Sequence, residues 1–133
     1  MKNISVIVLM MLVGGFASAA SVPRFESGTY LCKGHAADGG SEQADLEVER
    51  SSSTTSISLD GLMEVTLKNK NCAPTAESND FQSKCKGKAV SVVTKESGDT
   101  AEFVAVGRKI WISIKWFESE GVQYQSSMVC EKQ

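Results

Sequence analysis

The chain is 133 residues long, with 14 lysines and arginines against 16 aspartates and glutamates, one histidine and four cysteines. That length suits one domain, and a net charge of −2 excludes the strongly basic surface that general binding to a nucleic-acid backbone requires. A lone histidine and the lack of any C-x-x-C spacing exclude a zinc site, so neither a metal nor another cofactor is expected.

The chain opens MKNISVIVLMMLVGGFASAA, in which Lys2 is the only charge. An apolar run from Ile4 to Val13 leads into Gly14, Gly15 and small residues, and Ala17 and Ala19 fit the A-x-A rule. Residues 1–20 therefore read as a secretory signal peptide, cut just after Ala19 or Ala20. The apolar run is shorter than the roughly 20 residues a bilayer span needs. No later stretch is long and apolar enough for one, so no transmembrane segment is expected in the mature chain, residues 21–133. No cysteine lies near the cut, which leaves no site for a lipoprotein anchor. Thirteen basic and sixteen acidic side chains remain after cleavage, so the exported domain is mildly acidic.

From here the period is two. GTYLCKG makes a first strand with Tyr30 and Cys32 on one face. ADLEVER puts Leu46 and Val48 opposite Asp45, Glu47 and Glu49. TSISLDG sets Ile57 and Leu59 against Ser56, Ser58 and Asp60, and LMEVTLKN alternates Met63, Val65 and Leu67 with Glu64, Thr66 and Lys68. These are half-buried antiparallel strands, apolar inward and polar outward. KAVSVVTKE and TAEFVAVG are further strands of less clear phase. KIWISIKWF places Ile110, Ile112, Ile114 and Trp116 on one face, and VQYQSSMVC does so for Val122, Tyr124, Met128 and Cys130. Turn signals separate the strands, among them VGRK, where Gly107 suits a two-residue hairpin turn. Pro23 and Pro74 both fall outside the strands, as their missing N–H requires.

One segment breaks the alternation: residues 69–88, NKNCAPTAESNDFQSKCKGK, which reads as a long loop closed at its base by a disulfide. Four cysteines behind a signal peptide read as two disulfides. Of the three pairings, Cys72–Cys85 with Cys32–Cys130 is favoured, because the first closes a short loop and the second joins the first and last strands. Eight short strands joined by tight turns give an all-β domain, a single antiparallel up-and-down β-barrel or, as the alternative, a β-sandwich. A first and last strand whose inward cysteines meet favour the barrel, which also removes exposed edges.

Few residues carry chemistry. His35 follows the first strand, with Asp38 three residues on. No G-x-S-x-G elbow accompanies them, and a solvated loop histidine is the ordinary reading. With all cysteines oxidised there is no thiol nucleophile, so an enzyme is not expected. Two surface features suit binding. Lys68, Lys70, Lys84, Lys86 and Lys88 surround the expected Cys72–Cys85 bridge and form a basic lobe on an acidic protein, suited to steering an anionic partner. Trp111 and Phe117 point outward by phase, and aromatic anchors dominate binding surfaces. A bulge turning Trp111 inward, or plain solvated lysines, are the bland alternatives.

Over a handful of residues, SGTYLCKG resembles the first strand of lipocalin-type barrels, where a glycine precedes an aromatic. YLCKG with a late cysteine resembles the small-barrel lysozyme inhibitors of bacterial periplasms, although the later serine-glycine loop of those inhibitors is not found here. The expectation is a periplasmic or secreted, non-enzymatic binding module of the bacterial envelope, inhibitor-like or accessory, with a protein or anionic envelope partner. The alternative is a carrier of a small apolar ligand in the barrel interior, where Tyr30 and Tyr124 are the candidate polar groups.

Overall fold

The computed structural model describes residues 20–35, 39–60, 62–117, 121 and 123–133. Most of the expected signal peptide, residues 1–19, lies outside them, as do Asp38, Val122 and the side chain of Tyr124. The described chain forms nine strands: β1 (Gly28–His35), β2 (Ser41–Arg50), β3 (Thr54–Leu59), β4 (Met63–Lys68), β5 (Phe81–Lys86), β6 (Ala89–Thr94), β7 (Thr100–Val106), β8 (Lys109–Phe117) and β9 (Gln123–Lys132). They make one antiparallel sheet in the order β4-β3-β2-β1-β9-β8-β7-β6-β5. Sequential neighbours pair everywhere except between β4 and β5, and the first strand pairs with the last. The result is a nearly closed up-and-down barrel with one break.

β1 and β9 run antiparallel with Cys32 directly opposite Cys130. Both cysteines are completely buried and bonded to each other across a Cα–Cα distance of 3.8 Å. The second disulfide joins Cys72 to Cys85. Both pairings agree with the sequence reading.

The expected count of eight strands was one short, because β5 occupies the part of residues 69–88 read as loop. Its inward positions are Phe81, Ser83 and Cys85, against outward Gln82, Lys84 and Lys86. With one large apolar residue on its inner face, its alternation carries almost no hydrophobic signal.

The barrel core follows the period-two reading. Leu46, Ile57, Leu59, Val65, Leu67, Val90, Val92 and Phe103 are almost wholly buried, each worth about 1.5–3 kcal/mol relative to exposure. Ile114 and Trp116, expected in the core, are only half-buried, because they sit toward one end of β8 where the filling stops. Gly107 and Gly87 open two-residue hairpin loops with φ of 62° and 59°, a conformation that glycine adopts without steric cost.

The two ends of the barrel are unlike. At the end carrying the β2–β3, β5–β6 and β7–β8 turns, the N-terminal arm folds in and buries Val22 and Phe25. The Val22 N–H donates to the Asn69 carbonyl (2.8 Å), and Arg50 Nη1 donates to the Pro23 carbonyl (3.0 Å) and to Thr55 Oγ1 (3.2 Å). The hydroxyl of Thr55, fully buried, donates in turn to Asn69 Oδ1 (2.6 Å). These buried polar groups of the plug are thus paired, which makes it stable rather than costly. Tyr30 completes it: its hydroxyl donates to the Glu26 carbonyl (2.7 Å).

Two predictions follow from this packing. Gly34 points inward opposite Met128, and a Cβ there would overlap the Ser127 carbonyl oxygen and lie 2.8 Å from the Met128 Cα. Only a hydrogen lets β1 and β9 approach so closely. Gly34→Ala should therefore destabilise the domain by about 1–3 kcal/mol, read from the midpoint of urea unfolding. The Tyr30 phenol is raised above its usual value of 10.0, first by burial and then by the Glu26 carboxylate. Its contribution to stability is complete below the unfolded value and is lost as pH rises through the raised folded value. Tyr30→Phe should cost about 1 kcal/mol at neutral pH and flatten the alkaline loss of stability. An unchanged alkaline limb would show that another group governs it.

Candidate functional site

The inner phase of several strands turns polar toward the open end. On β2 the inward series Val48, Leu46, Ala44 continues to Glu42. On β9 the series Cys130, Met128 continues to Ser126, and on β6 the series Val90, Val92 continues to Thr94. These positions surround a cavity of about 320 Å³, within the range of small-molecule sites. Leu59 and Val92 contribute buried parts of its wall, Met63, Ile114 and Trp116 contribute half-buried ones, and Leu62 stands at the rim, 61% exposed.

Two carboxylates reach this cavity, Glu42 and Asp99, and no lysine, arginine or histidine lines it among the described residues. Ser126 Oγ, buried, lies 2.8 Å from Glu42 Oε1 and 3.0 Å from the His35 carbonyl oxygen, so its single proton is divided between two acceptors. Asp99 Oδ1 accepts the Phe117 N–H at 3.2 Å. Among the described residues each carboxylate accepts one such bond, and a carboxylate's two oxygens have accepting capacity beyond that. The chemistry of the cavity is that of an apolar cup with an anionic rim.

The outer wall holds a second concavity of about 540 Å³ across β7, β8, β9 and β1. The registers align Val104, Trp111, Val129 and Lys33 in one row across these strands. The adjacent row is Glu102, Ser113, Ser127 and His35. Trp111 is 51% exposed, and its strand has no bulge turning it inward. His35 faces Ser127 directly, but Glu102 stands three strands away, roughly 14 Å at ordinary strand spacing. No Ser–His–carboxylate relay is formed by that row.

The lysines collect elsewhere. Lys68 ends β4 and Lys86 ends β5, at the plugged end of the break between those strands, with Lys70, Lys84 and Lys88 beside them. All five are exposed, and none stands within ion-pair distance of a carboxylate among the described residues. Trp111 lies on β8, three strands round the wall from β5 and five from β4. Phe117, also exposed, lies six residues along β8 from Trp111, beside Gly98. The fold places the lysines, Trp111 and Phe117 on separate parts of the surface.

The break itself is filled by residues 69–80. The Lys68 N–H donates to the Ala73 carbonyl and the Thr75 N–H to the Thr66 carbonyl, and Leu67 pairs with Pro74. On the other side Ser83 Oγ donates to the Cys72 carbonyl, and Cys72–Cys85 fastens the segment to β5. Cys72 is the one non-glycine residue with positive φ among those described, at 64°, a conformation costly for a side chain and here held by the covalent tie.

No family model, no curated protein and no solved structure matches this chain. The two disulfides are compatible with an extracellular or periplasmic setting, and among the described residues no helix is long and apolar enough to cross a membrane.

Sequence reasoning missed the rim. Glu42 and Ser126 are polar residues on an inward phase, a signal present in SEQADLEV and QSSMVC, whereas Asp99 comes from a turn and carries no such mark. Replacing Cys72 and Cys85 together by alanine should lower stability by about 2–4 kcal/mol. It should also raise hydrogen exchange at the outer edges of β4 and β5 and leave β1–β9 protected. Uniform exchange over all strands would show that the break is not the local weak point.

Proposed function

We propose that this chain is an exported, non-enzymatic binding module, periplasmic or secreted, that takes a small amphiphile in the open end of its barrel. The observation that carries this reading is the cavity of about 320 Å³ with apolar walls and two carboxylates at its rim. Burial of apolar ligand surface supplies affinity, at about 25 cal/mol per Å². Glu42 and Asp99 then select the head group: a cation or a strong hydrogen-bond donor is favoured there, and a carboxylate is repelled. The plugged opposite end supports the same reading, since Val22 and Phe25 close the barrel and leave one entrance. An export signal in the first twenty residues and two disulfides fit such a protein outside the cytoplasm.

The test uses octylammonium, octanol and octanoate as probes of one chain length and three head groups, titrated by calorimetry. Octylammonium should bind saturably with one site and octanoate should not. Ile114→Trp, which fills the cavity from a half-buried position, should abolish uptake while the fold survives. Glu42→Gln should weaken octylammonium by about tenfold, the loss of one charge-assisted contact. Equal binding of the ammonium and the carboxylate, or undiminished uptake by Ile114→Trp, would remove the cavity as the site.

A further inference from the structure

The outer-wall groove is independent of the mouth cavity, and the geometry points to it as a binding site for an acidic glycan. The argument starts from the two rows. The first presents an exposed indole flanked on its neighbouring strands by Val104 and Val129. The second runs parallel to it, one outward position along each strand, and presents hydroxyls from Ser113 and Ser127. A sugar ring has the same division, with an apolar C–H face and a periphery of hydroxyls. An indole is a rigid apolar platform with one donor at its edge, and small hydroxyl side chains beside it answer the periphery.

The spacing agrees as well. The rows cross the strands at roughly 4.8 Å per step, close to the length of one pyranose unit in a β-linked chain. Successive sugars would therefore meet successive strands. Charge then sets the class and the direction. Lys33 and His35 both belong to β1 and stand at one end of the two rows, and Lys33 has no ion pair among the described residues. Glu102 stands at the other end, on β7. A carboxylate-bearing sugar is favoured over β1, two strands from Trp111, and a neutral sugar beside Glu102 on β7. A glycan alternating uronic acid and neutral sugar matches both, with a second uronic acid stacked by its C–H face on Trp111 and a neutral sugar over β9.

Other occupants fit less well. β7, β8, β9 and β1 are all paired on both sides, so no free backbone is offered to a peptide strand. An amphipathic helix needs a broad apolar groove, and here one of the two rows is polar throughout. Gly34, where β1 and β9 approach too closely for a side chain, contributes its backbone to the lining of the groove.

The experiment titrates the mature protein with hexasaccharides of hyaluronan and of unsulfated chondroitin, with chitohexaose as the neutral comparator, each up to about 1 mM. At least one uronate hexasaccharide should bind and should bind about tenfold tighter than chitohexaose, with affinity falling as salt is raised. Trp111→Ala, at a half-exposed position, should abolish binding, and Lys33→Glu should reduce it by about tenfold or more. Octylammonium uptake at the mouth should be unaffected by both. Absence of binding by both uronate probes, equal or tighter binding of chitohexaose, or retention of affinity in Trp111→Ala would overturn the assignment.

Discussion

The pairing of β1 with β9 is the constraint on which the molecule depends. A meander of nine strands in chain order has two natural ends, and left as an open sheet it would expose both its first and its last strand. Here those strands are hydrogen-bonded over six register pairs, Tyr30↔Lys132 to His35↔Ser127, and are covalently joined at Cys32–Cys130. The ring so formed spans almost the whole described chain, with a sequence separation of 98. In the chain-entropy treatment a loop of that size contributes about 4.7 kcal/mol by restricting the unfolded state. That is a large share of the 5–15 kcal/mol or so that a domain has in total. Gly34 belongs to the same constraint, since the closeness of the two strands leaves no room for a side chain between them.

Closing the sheet at β1–β9 moves the unavoidable break to the middle of the chain, between β4 and β5. Both strands are then edges, and bare edges invite pairing with other molecules. Three devices answer this. The segment 72–75 lies against β4 and takes up its outward backbone groups. Cys72–Cys85 holds that segment against β5. The lysines of β5 and its turn add charge to the edge, a known protection against strand addition. Lys84, Lys86 and Lys88 are thereby explained without a partner, although nothing in this role prevents one. The same logic accounts for the strained φ of Cys72, which the tie to Cys85 sustains together with the Cys72 N–H donating to the Lys68 carbonyl.

Alternation made most of this legible before any coordinates. Leu46, Val48, Ile57, Leu59, Val65 and Leu67 could be placed inward because each was separated by a single polar residue from the next. Cys32 and Cys130 could be paired because both shared the inward phase of strands that had to meet if the sheet closed. β5 escaped because its inner face is Phe81, Ser83 and Cys85, and a covalent bond replaces there the apolar contact that periodicity detects. The plug escaped for a different reason. Val22 and Phe25 lie in an arm with no repeating pattern, and their burial is a tertiary event fixed by Arg50, Thr55 and Asn69, far along the chain. Trp111 was placed outward by phase alone, yet its alignment with Val104 and Val129 on the neighbouring strands, and with Lys33 two strands away, was invisible without the register.

The asymmetry between the two ends follows from where the sequence places its polar inward residues. At the plugged end every such group finds a partner within the chain: Thr55 has Arg50 and Asn69, and Tyr30 has the Glu26 carbonyl. Burial without an unmet bond allows the end to be filled and dry. At the open end, among the described residues, Glu42 meets one serine hydroxyl and Asp99 one backbone N–H, and no cation lines the cavity beside either. An ionised carboxylate with one bond cannot be sealed under an apolar cap, because desolvating it would cost several kcal/mol. The inward acid therefore keeps that end open to water, and a guest that brings a positive charge can replace the water without the penalty. Filling and hollowness in this barrel are thus two outcomes of one rule, applied to inward polar groups that are matched at one end and left partly unmatched at the other.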